Sequence, residues 1–283
     1  VGDEYGKNPF SKRSSFHWNV SNQVSKIYQA QSDCSAQIRF QSSIYESKIS
    51  VLQCRHHLFQ WHPEIEGRTR MKLCALIPYY NHPDAIGLVV QQLLPYGLNI
   101  IIVDDGSTLE AKQSLLPLTK LPGVQLVTRK QNGGKGAAVI TGMREALKQG
   151  YTHALQVDAD GQHDLTKIPA LIQLSEQNPT KIISGMPVYD ESVPTNRKLW
   201  RYATHILVWI HTLSFEIKDS MCGFRIYPLK KTLEVIDSQP QFGQRMDFDI
   251  EILVRSQWAG LHVEQLPVGV RYPIDGVSHF QLF

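Results

Sequence analysis

The sequence predicts an α/β protein, a mostly parallel sheet with helices on both faces. Three observations predict it. From Met71 onward, short apolar runs alternate with amphipathic ones, the rhythm of strand–helix–strand crossovers. One run, Ile100 to Val103 within LNIIIVDDGS, is continuously apolar, as a strand buried on both faces must be. Polar clusters recur where successive strands end: Tyr80-Asn81, Asp104-Asp105-Gly106-Ser107, Asn132-Gly133-Gly134-Lys135 and Asp158-Ala159-Asp160. That edge of a parallel sheet is where ligands bind.

Taken in order, residues 1–70 stand apart. They are rich in Ser and Gln and carry short alternating runs such as AQIRFQSSIY and SKISVLQ, read as a short β-rich segment without assigned function. Cys54, His56, His57 and His62 lie close together there, but their spacing matches no zinc pattern. A second domain is expected over 71–283. MKLCALIPYYN gives its first strand, with Pro78 suited to a strand end. Asp84 is placed as the cap of a helix to about Leu94. The strand LNIIIVDDGS, a helix over Thr108 to Lys120 and the strand VQLVTRK follow. Next come a helix after Gly133-Gly134-Lys135-Gly136, the strand running into Asp158, a helix over 165–177 and the strand KIISGMP. Beyond Pro194 the segment NRKLWRYATHILVWIHTLSF begins basic and turns apolar and aromatic. It reads either as a core helix over the sheet edge or as a helix at a membrane surface. DSMCGFRIYP gives a turn and short strand, RMDFDIEILVRSQWAG a helix, and LHVEQLPVGVRYP a last strand before a DGVSH loop.

Composition narrows the function. A 283-residue chain can bury a full core, and 42% hydrophobic with 19% charged residues is ordinary for a globular protein. A net charge of +3 without dense basic runs argues against nucleic acid. Cys34, Cys54, Cys74 and Cys222 are scattered, which points to a reducing compartment rather than a disulfide framework. No signal-peptide core is seen, and no stretch reaches the roughly 18–20 apolar residues of a span. The expected location is the cytoplasm or the cytoplasmic face of a membrane.

The chemistry centres on LQVDADGQHD. Strand alternation sets Asp158 and Asp160 on one side, and Gly161 allows the sharp turn that leaves both at a strand end. Carboxylates about 6–7 Å apart at the Cα level repel unless a cation lies between them. Mg²⁺ or Mn²⁺ takes such oxygen ligands and keeps positions open for phosphate. The alternative is a plain acidic turn after a buried strand.

Residues from about 71 to 280 resemble family 2 glycosyltransferases of the GT-A (Rossmann-like) fold, nearest to the dolichyl-phosphate mannose synthase group. IPYYN is similar to that family's first-strand motif, VDDGS to its second, NGGKGAAV to its Gly-rich helix start, DADGQH to its metal-binding motif and DSMCGFRIY to its acceptor-side Gly-Phe-Arg motif. The resemblance implies inverting, metal-dependent transfer of a sugar from a UDP- or GDP-sugar to a polyprenyl phosphate or other lipid. It implies that Pro78 and Tyr80 line the donor base, and that Asp104 or Asp105 bonds the base or ribose. Asp158, Asp160 and Gln162 would hold Mg²⁺ or Mn²⁺ at the donor diphosphate, with Arg271 reaching it from the far side. Arg197 and Arg225 would hold the acceptor phosphate. Gly133, Gly134 and Lys135 would either assist the diphosphate or only turn and cap a helix. Were the acceptor an alcohol, Asp219, Asp249 or Glu251 would serve as base. The family often carries Glu where this chain has His82, so the base and sugar stay open. Rival readings are a haloacid dehalogenase-type phosphatase, which shares a strand–DxDG motif, and a GT-A scaffold without activity. The phosphatase motif belongs on the first strand of its sheet, whereas here three strands precede it.

Overall fold

A computed structural model describes residues 70–188, 195–239 and 241–269, with the backbone alone over 195–201 and at 203. The expected N-terminal strands, the Cys54/His56/His57/His62 group and Arg271 lie outside the described residues, as does the side chain of Arg197. Seven strands form one sheet in the order β3-β2-β1-β4-β6-β5-β7. They are β1 (Leu73–Tyr79), β2 (Asn99–Asp104), β3 (Val124–Thr128), β4 (His153–Gln156), β5 (Ile182–Val188), β6 (Arg225–Pro228) and β7 (Val263–Gly269). All neighbours run parallel except β6, which is antiparallel to both β4 and β5. The helices are α1 (Pro83–Leu93), α2 (Leu109–Gln113), α3 (Lys135–Lys148), α4 (Ile168–Gln177), α5 (Thr195–Thr212), α6 (Leu229–Asp237) and α7 (Phe248–Trp258).

Strand alternation divides the core into two layers. Ala75, Ile77 and Tyr79 of β1 face α1 and α4 through Ile86, Val89, Val90, Ile168 and Leu171. Cys74 and Leu76 face the other way, toward Ala138, Val139 and Met143 of α3 and Phe248, Ile252 and Leu253 of α7. Every one of these is fully buried or nearly so, and each large aliphatic contributes about 1.5–3 kcal/mol of transfer free energy. Gly142 lets α3 lie flat on the sheet, because a Cβ there would come within 2.0 Å of Leu76 Cδ1.

Several local expectations change. Asp84 lies in the first turn of α1, and the position before that helix is His82, which makes no side-chain cap bond. The helix expected over 108–120 is broken into α2 and a 3₁₀ turn at Leu118–Lys120. Pro117 accounts for the break: it has no N–H to give, and its ring would strike the carbonyl four residues back. α6 was not expected, although Leu229, Leu233 and Ile236 stand at helical spacing on its buried side. Pro78 sits inside β1, a central strand. The Leu76 carbonyl accepts from Val157 on the β4 side, so Pro78, two residues on, faces that side too. Pairing with β4 ends at Leu76, so the missing N–H leaves no ladder bond unmade.

Candidate functional site

The carboxyl ends of β1, β2 and β4 carry the polar clusters, and each is held by its own local logic. Beyond β4, Val157 and Ala159 stay buried with the core, while Asp158 and Asp160, which alternate with them, are partly exposed. Gly161 then takes φ +71°, a left-handed turn that costs a glycine nothing. The Asp164 N–H donates to the Gly269 carbonyl at 3.2 Å, which ties this turn to the end of β7.

The two aspartates differ in what surrounds them. Asp158 Oδ2 takes the Lys135 ammonium at 2.9 Å and lies 3.4 Å from His163 Nε2. Burial would raise the Asp158 carboxyl, but the Lys135 charge and the His163 contact outweigh it and hold the group well below the usual carboxylate range. Lys135 also donates to Asp249 Oδ2 at 2.7 Å. Burial would lower the ammonium, yet the two carboxylates prevail and keep it charged, above the ordinary lysine range. Asp160 is committed far less. One of its oxygens accepts the Gln162 N–H at 3.1 Å, and among the described residues no hydrogen bond reaches the other.

The segment Gly223-Phe224-Arg225 supports the same aspartate from below. A Cβ at Gly223 would fall 2.5 and 2.7 Å from the Asp158 oxygens and 2.7 Å from Lys135 Nζ, so only glycine lets the ion pair form there. Phe224 stacks on His163 with centroids 5.2 Å apart, fixing the ring that meets Asp158. Arg225 is wholly buried. Its guanidinium donates to Ser184 Oγ at 3.3 Å, the Ser220 carbonyl at 2.9 Å and the Asp249 carbonyl at 2.7 Å. The acceptor-phosphate expectation meets a guanidinium with no exposed surface here: it joins β5, the 219–222 turn and α7, and braces the site.

The remaining expected residues lie on several elements. Pro78 is buried within β1, whereas Tyr80 stands exposed just past its end. Asp104 and Asp105 are both buried. Asp104 Oδ1 accepts the Ser107 N–H at 3.0 Å, with Lys112 Nζ 3.6 Å from Oδ2. Asp105 is occupied by Arg129 and by the N–H groups of Gly133 and Gly134, the latter at 2.7 Å. Gly136 and Ala137 donate to the carbonyls of Arg245 and Gln244 at 3.3 and 2.9 Å. The N–H groups of Gly133, Gly134, Gly136 and Ala137 are therefore matched within the protein, an arrangement compatible with the turn-and-cap alternative. Asp219 Oδ1 accepts from Met221 and Cys222 at 3.0 and 2.9 Å, and Oδ2 lies 3.4 Å from His205 Nε2. It shapes the turn that delivers Gly223. Glu251 lies on α7, accepting from Gly243 N at 2.6 Å and Arg255 Nε at 2.5 Å. His163 and Gly223 carry no role that the linear sequence marks, although they stand inside the motifs DADGQH and DSMCGFRIY.

Oxygen donors suit a hard divalent ion, and Asp160 with the Gln162 amide has donor capacity to offer it beside Asp158. Among the described residues, no cluster of three His, Cys, Asp or Glu side chains forms a complete cage. Such an ion would need oxygen atoms from elsewhere, which a phosphate supplies.

Comparison with known proteins gives consistent results. Residues 74–253 match the family described as glycosyl transferase family 2. The undecaprenyl-phosphate mannosyltransferase of Micrococcus luteus is 26% identical over 70% of this chain and 83% of its own. The UDP-N-acetylglucosamine–dolichyl-phosphate N-acetylglucosaminyltransferase of Methanococcus voltae is 27% identical over 70% of this chain and 84% of its own. A crystal structure of Mycobacterium tuberculosis glucosyl-3-phosphoglycerate synthase, in complex with Mn²⁺, UDP and glucosyl-3-phosphoglycerate, aligns with a TM-score of 0.55 at 19% identity. It covers 76% of this chain and 80% of that one, and shows a shared fold.

Proposed function

The chain belongs to glycosyltransferase family 2, with the GT-A fold, and from that premise we propose that it moves a sugar from a nucleoside diphosphate to a lipid phosphate, inverting the anomeric carbon. The family match sets aside the phosphatase reading. One observation carries the proposal: just past β4 an Asp160 oxygen has no hydrogen bond among the described residues, while its neighbour, Asp158, is locked to a lysine between two carboxylates. Asp160 and Gln162, with Asp158 beside them, would hold a divalent ion, which supplies positive charge at the departing diphosphate. The Mn²⁺ in the related synthase and the lipid phosphates named for the curated relatives support this reading.

In this reaction an acceptor oxygen forms a bond to the anomeric carbon as the bond to the diphosphate breaks. The electron pair leaves with the diphosphate, so the protein must stabilise growing negative charge there. The Lys135 ammonium, kept charged by Asp158 and Asp249, adds fixed positive potential at this spot. An acceptor phosphate is already ionised and needs no base. The commitment of Asp219 Oδ1 and of Glu251 to backbone N–H groups agrees with that. Tyr80, exposed at the end of β1, is offered for the nucleoside, and Arg271 for the diphosphate.

A lipid acceptor also requires access to a membrane. No helix of the described residues is long and apolar enough to cross one. Tyr202, Leu207 and Ile210 of α5 are exposed, and Phe215 and Leu213 beyond it are 77% and 92% exposed, apolar side chains of the kind that lie on a bilayer. Co-sedimentation with anionic vesicles tests this: Leu213→Ser with Phe215→Ser should abolish it, and unchanged binding would refute it. The catalytic reading is tested by thermal unfolding with UDP or GDP and Mn²⁺, then by a panel of UDP-, GDP- and dTDP-sugars with a polyprenyl phosphate. Metal-dependent protection and one productive donor are expected, and neither appearing would refute it.

A further inference from the structure

Behind Asp158 lie two buried polar side chains that the reaction itself does not use, Gln156 at the end of β4 and Tyr227 on β6. A sheet interior accommodates apolar residues at such positions more cheaply, because each unmatched polar atom there costs free energy. Here every one is matched, and in one sense only. Arg225 Nη1 can only donate, and it does so to the Tyr227 hydroxyl at 3.3 Å. The hydroxyl proton is thereby turned onward to Gln156 Oε1 at 3.2 Å. An amide accepting through its oxygen must present its NH₂ on the other side, and Gln156 Nε2 donates to Asp158 Oδ1 at 3.3 Å. The circuit closes through Lys135, which bridges Asp158 to the Asp249 carboxylate, and through the Asp249 carbonyl, which accepts from Arg225 at 2.7 Å.

We propose that Tyr227 and Gln156 are positioning residues for Asp158: a relay polarised by Arg225 fixes the direction of the Gln156 amide and so the plane of the carboxylate. Lys135 and His163 meet Oδ2, and Gln156 meets Oδ1, so without the relay the carboxylate keeps one anchored oxygen and regains a torsion. This rests on the transferase reading for its purpose, since an oriented Asp158 matters for holding an ion beside Asp160.

Tyr227→Phe keeps the buried ring and removes only the hydroxyl; Gln156→Leu removes the amide. The Mn²⁺ concentration giving half of the UDP- or GDP-dependent thermal protection should rise about fivefold in each, the factor set by one ordinary hydrogen bond. The double variant should be no worse than either single one, because both cut one relay. Unchanged half-protecting concentrations, or effects that simply add, would overturn the proposal. If the unaltered protein shows no Mn²⁺-dependent protection, the transferase reading fails, and the relay is then judged on the ligand-free crystal structure of Tyr227→Phe. Opening of the Gln156–Asp158 contact beyond hydrogen-bond reach supports it, and retention of that contact overturns it.

Discussion

Replacing Lys135 with Met removes the ammonium from between Asp158 and Asp249 while keeping most of the volume of the side chain. Removing one partner of a buried pair generally costs about 3–5 kcal/mol, because the other charge is left without its counterion. Asp249 has a side chain only 4% exposed and an Oδ1 without a hydrogen-bond partner among the described residues, and Arg225 Nη1 remains 3.9 Å from it. Asp158 is 21% exposed and keeps His163 and Gln156. The remaining contacts place the loss near the lower end, about 3 kcal/mol. For a domain of this size that is roughly 6–12 °C in the unfolding midpoint. The pH dependence gives the sharper test. The Asp158 pKa is depressed in the folded protein, so its contribution is complete above the unfolded value of about 3.9 and is lost as pH falls below it. Denaturant unfolding of the native protein and of Lys135→Met, compared from pH 7 to pH 3, should show a gap widest at neutral pH and narrowing below about pH 4. A loss under about 1 kcal/mol at pH 7, or a gap that stays constant into acid, would refute the ion-pair account.

Other substitutions probe the same framework. Gly223→Ala inserts a methyl within 2.7 Å of Asp158 and Lys135, and should reduce sugar transfer by about 100-fold, with a destabilisation of about 1–3 kcal/mol; turnover at the native rate would show that the pair can shift without harm. Asp160→Ala should abolish transfer while changing stability by no more than about 0.5 kcal/mol, as measured by denaturant unfolding. Normal turnover of that variant in excess chelator would remove the divalent-ion argument. Arg225→Lys gives up the fork that joins Ser184, Ser220 and Asp249, and should lower stability by about 3 kcal/mol or more while affecting donor and acceptor alike. A raised acceptor KM with intact stability would return Arg225 to the acceptor.

Much of the fold could be read from the residues because its signals are local. Alternation of buried and outward residues, the apolar run of β2 and the glycine after Asp160 act within a few positions of themselves, and strand, helix and turn follow from them. The antiparallel insertion of β6 could not be read, since strand order depends on which partner a four-residue strand meets in space. The break at Pro117 and the helix α6 did carry local signals, in a proline and in helical spacing. The site divides along the same line. The chain order already marked Asp158, Asp160 and Lys135 as chemistry, because their residue types and strand-end positions show in the linear text. What each one does depended on partners far away along the chain: Lys135 finds Asp249 across 114 positions, and Arg225 finds Ser184 across 41. Charge, hydrogen-bonding capacity and backbone preference are properties of a residue and travel with the sequence. Whether a guanidinium is buried or a carboxylate oxygen is left free is a property of its neighbours, and packing alone assigns those.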